Sequence, residues 1–160
     1  MPVIGIITNN TNIIEIEEKL KSHKIKEKNI IIITKENISN IKNVRFDFII
    51  IYEELEENEI TKKVLKSCKY ILINSDYKKN LKLISENMNS YVITFGFNSK
   101  ASISIVSNEN EEIILDIQRE IELENNKKIE CQEIKMQNNF AKKYLYEEIS
   151  MKILTILLKI

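Results

Sequence analysis

Up to Gly96 the apolar residues of this chain fall in short, nearly continuous runs. These are Val3-Ile4-Gly5-Ile6-Ile7, Ile30 to Ile33, Phe46 to Tyr52 (FDFIIIY), Tyr70 to Ile73 and Tyr91 to Phe95. Runs that are rich in β-branched residues, and continuous rather than alternating, predict strands covered on both faces. Between the runs, apolar residues recur at helical spacing: Ile13, Ile16 and Leu20; Ile60, Val64, Leu65 and Cys68; Leu81, Ile84 and Met88. Strand and helix in alternation predict a parallel sheet with right-handed crossovers.

The pattern changes after Gly96. Ala101, Ile103 and Ile105 alternate with serines, Asn108-Glu109-Asn110 reads as a turn, and Ile113, Leu115 and Ile117 alternate again. Asn125-Asn126 marks a second turn, and Ile129 to Met136 completes three strands of an antiparallel meander. A helix from about Phe140 to Lys159 closes the chain, with Tyr144, Leu145, Ile149, Ile153, Ile156 and Leu157 as its apolar face. The expected fold class is α/β: three layers around a mostly parallel sheet of the Rossmann-like or P-loop NTPase-like kind, then the meander and the closing helix. No linker, repeat or low-complexity segment interrupts residues 1–160, so one domain is expected.

Charge narrows the function. Lys and Arg total 24, as do Asp and Glu, giving a formal net charge of +0. Acidic and basic residues are interleaved at short range, with no basic stripe for a nucleic acid. Ile149 to Ile160 is the most apolar stretch, but it is broken by Ser150, Lys152, Thr155 and Lys159 and is shorter than the roughly 20 residues of a membrane span. Met1 to Gly5 lacks the charged-then-apolar pattern of a leader, so neither a membrane nor nucleic acid is expected as a partner, and a cytoplasmic location is. The abundance of Ile, Lys and Asn is the signature of AT-rich codons and carries no functional weight.

Chemistry-bearing residues are few. Cys68 and Cys131 form no C-x-x-C and no metal spacing, and read as reduced, partly buried thiols. His23 is the only histidine and lies in the lysine-rich stretch from Lys19 to Lys28; it is expected to be exposed, complementing a helix carboxyl end. Neither a Ser-His-Asp nor a Cys-His pairing can be argued from the one histidine, so no catalytic residue, metal or cofactor is assigned. Glu53, Glu54, Glu56, Glu57 and Glu59 form a charge run that reads as a solvated loop. Asn74 and Asp76 close the fourth run, where ligands of open α/β sheets bind, although Ser75 or Asp76 would serve equally as a cap of the next helix.

Four stretches together resemble the central, ATP-binding domain of Mur ligases, the bacterial enzymes that join amino acids to peptidoglycan precursors. Val3-Ile4-Gly5-Ile6-Ile7 followed by a helix is similar to that family's first strand and phosphate loop. Ile71-Leu72-Ile73-Asn74-Ser75-Asp76 is similar to its Asn-x-Asp strand end. Val92-Ile93-Thr94-Phe95-Gly96-Phe97-Asn98, followed by Lys100-Ala101, is similar to its strand–glycine turn into a meander, and the last helix stands where its central domain ends. The resemblance spans nearly the whole chain.

The departures from the family pattern set the functional expectation. The family's glycine-rich loop ends in Gly-Lys-Thr or Gly-Lys-Ser, whereas this chain has Thr8-Asn9-Asn10-Thr11-Asn12-Ile13. Asn12 stands in the lysine's place, Thr11 in that of the preceding glycine, and Ile13 in that of the magnesium-binding hydroxyl. Without the lysine's charge and the bare backbone cup, the terms that hold a transferring phosphate are missing. The chain also has no counterpart of the family's flanking domains, so it is expected to act by binding rather than by catalysis. The partner is another protein or, in the alternative, a nucleotide or small ligand held weakly at Thr8, Asn9, Asn10, Thr11, Asn12, Asn74, Asp76, Gly96 and Asn98. A further alternative is a ligase-related subunit completed by a partner chain.

Overall fold

The computed structural model describes residues 1–26, 29–86 and 89–159. Ten strands and four α-helices follow in order: β1 (Ile4–Ile7), α1 (Ile13–Ser22), β2 (Ile30–Ile33), β3 (Phe46–Ile51), α2 (Glu59–Lys66), β4 (Cys68–Asn74), α3 (Lys78–Glu86), β5 (Tyr91–Gly96), β6 (Ile103–Ser107), β7 (Glu112–Ile117), β8 (Ile121–Glu122), β9 (Lys128–Ile129), β10 (Gln132–Gln137) and α4 (Leu145–Leu158). Eight of the strands make one sheet in the order β10-β7-β6-β5-β4-β3-β1-β2. From β2 to β6 every pairing is parallel, and β6, β7 and β10 pair antiparallel.

The continuous apolar runs are explained by the layers. Ile4 and Ile6 of β1, Ile50 of β3, Leu72 of β4 and Ile93 of β5 pack with Ile16 and Leu20 of α1 and with Ile149, Ile153 and Leu157 of α4. Their sequence neighbours Ile7, Ile49, Ile51, Ile71 and Ile73 point to the other face, against Val64 and Leu65 of α2. Alternation along a strand therefore fills two cores at once, and polar residues are confined to a few positions such as Asp47, Lys69 and Thr94. In β7 only Ile113, Leu115 and Ile117 are buried, because the meander is covered by a helix on one face. Residues 30 to 32 of β2 are only half-buried since β2 is the sheet's edge strand.

Several boundaries differ from the sequence expectation. Cys68 opens β4 rather than ending the preceding helix, because Ser67 caps α2 by turning its N–H to Leu65 and Val64. Ile13 and Leu81 are 42% and 41% exposed and lie outside the core faces assigned to them; Leu83 takes the buried position in α3. Met88 lies outside the described residues. The expected strand from Ile129 to Met136 is two strands, with β8 and β9 forming a separate hairpin around Asn125 and Asn126, both at positive φ. The closing helix starts later, at Leu145, after a 3-10 turn at Lys142–Tyr144. Among the described residues no helix is long and apolar enough to cross a membrane.

Candidate functional site

At the carboxyl edge of the parallel strands, one hydrogen-bonded chain of side chains joins the ends of β1, β3, β4 and β5. It begins at Thr8, which is 3% exposed. The Tyr52 phenol donates to Thr8 Oγ1 at 2.8 Å, and Thr8 Oγ1 donates to Glu53 Oε1 at 2.9 Å. The Asn10 amide donates to the same hydroxyl at 3.0 Å, so its one donor and two acceptor positions are all used. Burial, followed by the charge of Glu147, pushes the Tyr52 phenol far above the ordinary tyrosine range and holds it as a donor.

The first β–α turn is closed by the chain's own acceptors. The second oxygen of Glu53 accepts from the Asn9 amide at 2.9 Å, and Asn10 Oδ1 accepts from the Asn12 amide at 2.8 Å. Asn12 is the N-cap of α1, its side-chain oxygen accepting from the Glu15 amide at 3.3 Å, which accounts for an asparagine there. A carboxylate thus takes the Asn9 N–H and the Thr8 hydroxyl of a turn whose donors, in a phosphate-binding loop, would face the ligand. The sequence expectation of Glu53 as part of a solvated run is corrected: it is tied to β1. The rest of the run is in ion pairs, with Glu57 2.7 Å from Lys62 and 3.0 Å from Lys82, and Glu54 3.1 Å from Lys79.

The second half of the chain runs through Asn74, which is fully buried. Its Nδ2 donates to the Tyr52 carbonyl at 3.1 Å and its Oδ1 accepts from the Asp76 amide at 3.0 Å. Asn80, equally buried, donates to the carbonyls of Glu53 and Asn74 and accepts from the Leu55 amide. Neither Asp76 nor Ser75 caps α3. The Asp76 carboxylate reaches across to the β5–β6 loop and accepts from the amides of Phe97 and Asn98 at 2.8 and 3.0 Å and from the Tyr146 phenol at 2.7 Å, while the Ser75 hydroxyl donates to the Phe95 carbonyl. Partial burial and the Asp76 carboxylate push the Tyr146 phenol well up from its ordinary value. Tyr146 packs edge-on against Tyr77, Phe95 and Phe97.

All nine residues named from the sequence therefore lie along one edge, and Asp76, Gly96 and Asn98 meet directly. Sequence reasoning missed Tyr52, Asn80 and Tyr146, and misassigned Glu53. Tyr52 occupies an apolar position of a strand run, so the pattern counted only its ring, and Tyr146 lies off the apolar face read for the closing helix. Asn80 sits in a lysine-rich helix start, where an asparagine looks solvated. His23 is corrected too: it is half-buried and pairs through Nε2 with Glu148 at 2.7 Å. Of the cysteines, Cys68 is buried and Cys131 is exposed. Among the described residues no group of three His, Cys, Asp or Glu side chains is placed to hold a metal ion.

No protein-family model matches the chain, and no curated protein matches it. Solved structures do. The chain superposes on a UDP-N-acetylmuramoyl-L-alanyl-D-glutamate–2,6-diaminopimelate ligase with a TM-score of 0.68 at 10% identity, covering 100% of this chain and 44% of that one. This is the fold of a Mur ligase central domain. Two crystal structures of MurF from Acinetobacter baumannii agree, with TM-scores of 0.66 and 0.65 at 7% and 6% identity, each covered over 43% of its length. The chain spans less than half of these Mur ligases, and at such identity the likeness is one of fold. In that fold the turn after β1, closed here by Glu53, is the one that the sequence resemblance placed opposite the family's phosphate loop.

Proposed function

We propose that this chain is a Mur-ligase-like domain that acts by binding and does not turn over ATP. The observation that carries the reading is the closed first turn: Glu53 puts a negative charge on Thr8 and the Asn9 amide, and residues 8–12 contain no lysine. A triphosphate would have to displace that carboxylate and would meet it as a like charge. The transition state of phosphoryl transfer needs the opposite, fixed donors and cations around the equatorial oxygens.

The binding partner we infer is another protein. At the same edge Ile14 is 68%, Phe97 45% and Ile13 42% exposed, beside a rigid hydrogen-bonded base. Exposed apolar side chains on a fixed scaffold suit docking better than they suit a small polar ligand.

Calorimetry with Mg-ATP, GTP and UDP-sugars, together with a phosphate-release assay, tests the first part. No binding heat and no turnover are expected. Saturable Mg-ATP binding with turnover overturns the reading. Retained capture of a binding protein by the wild type, with loss in Ile14→Asp and Phe97→Ser, is the expected result for the second part. Unchanged capture by both variants would refute this surface.

A further inference from the structure

A second polar site lies away from the strand ends. A cleft of about 560 Å³ opens between the carboxyl end of α1, strand β10 and helix α4. It is lined by His23, Glu148, Lys135, Lys152, Gln137 and Asn139. That volume is within the roughly 300–1,000 Å³ of ligand pockets, but the lining is polar, so its occupant is polar as well.

We propose that this cleft binds a phosphate group, free or carried by a small polar molecule. Glu148 holds His23 through Nε2 at 2.7 Å, with both side chains mostly buried at 16% and 13% exposure. A carboxylate on one ring nitrogen fixes the ring and leaves the other nitrogen to meet a ligand. His23 Nδ1 has no partner among the described residues. Lys152 has no acidic partner among them, and Lys135 reaches Glu112 only at 3.7 Å across an exposed surface. Among the described residues Glu148 is the one acid lining the cleft, and His23 engages it at 2.7 Å. Two ammonium groups, set against one carboxylate that His23 already engages, leave the cleft positive and suit a phosphate group. The amides of Gln137 and Asn139 make no side-chain hydrogen bond within the described chain and remain for hydroxyl groups of an ester.

His23 is the only histidine, so its ring nitrogens give a single set of NMR signals that reports this site alone. The experiment follows those signals during titration with inorganic phosphate and with glycerol 3-phosphate, at fixed pH and with ionic strength balanced by chloride. A saturable shift is expected, weakened roughly tenfold in Lys152→Gln and in Lys135→Gln, and unchanged in Lys66→Gln on α2. Tighter binding of the ester assigns an esterified ligand, and equal binding assigns free phosphate. Lys135 is exposed, so its variant reports even where the Lys152 variant loses its fold. A shift that does not saturate, or one that saturates equally in the Lys135 and Lys66 variants, overturns the proposal.

Discussion

The carboxylate of Asp76 lies where the side chain of residue 96 would be. A Cβ built on Gly96 would come 2.5 Å from Asp76 Oδ1, and Gly96 has φ +153, a conformation that side chains disfavour. The two residues are a matched pair: the bare Cα lets the carboxylate approach, and the carboxylate then takes the amides of Phe97 and Asn98 that the turn leaves unpaired.

Gly96→Ala is expected to lose about 2–3 kcal/mol in urea unfolding, from the backbone conformation and from displacement of Asp76. Gly96→Ala with Asp76→Ala should then be less damaging than the sum of the two, since the clash is shared.

Glu147 gives a pH dependence. It is 5% exposed, its Oε2 bonds Lys19 Nζ at 2.8 Å, and its Oε1 has no hydrogen-bond partner among the described residues. Burial raises its carboxyl above the ordinary value, more than Lys19 lowers it. A folded state that holds this proton more tightly than the unfolded chain loses stability as pH rises from the ordinary carboxyl range through the raised value. Stability curves across that window should slope downward for the wild type and be flatter for Glu147→Gln.

Glu57 behaves in the opposite sense. Hydrogen bonds from Lys62 and Lys82 hold its carboxyl down to about 2. Its contribution is present above the unfolded value and lost as pH falls toward 2. Carboxyl-carbon NMR titration should show Glu57 among the last to protonate, and Lys62→Gln should move it back toward the others.

The two thiols should separate cleanly. Burial pushes the Cys68 thiol up to about 12, while Cys131 is exposed. A thiol reagent at neutral pH is expected to label Cys131 in the native protein and Cys68 only after denaturation. Fast native labelling of Cys68 would contradict the packing of β4.

The fold was legible where a single local rule decided it. Five runs rich in β-branched residues are strands, covered on both faces except at the edge strand β2, and Gly96 marked the switch to alternation. What the pattern could not show was the wiring between strand ends. Glu53 meets Thr8 across 45 residues and Tyr146 meets Asp76 across 70, so nothing near either residue in the chain signals the bond. Glu53 was hidden further by its company, because four other glutamates close by make it look like one more solvated charge. His23 was misplaced for the same reason, its partner lying 125 residues away on α4.

The join between β5 and β6 has a mechanical consequence. Only Phe95–Ile103 and Gly96–Ser104 pair there, helped by the reciprocal bonds of Thr94 and Ser102, whereas β4 and β5 pair over five positions. The sheet is in effect two plates riveted along a short lap. Under load applied at its two edges, from β2 to β10, it should tear along that line.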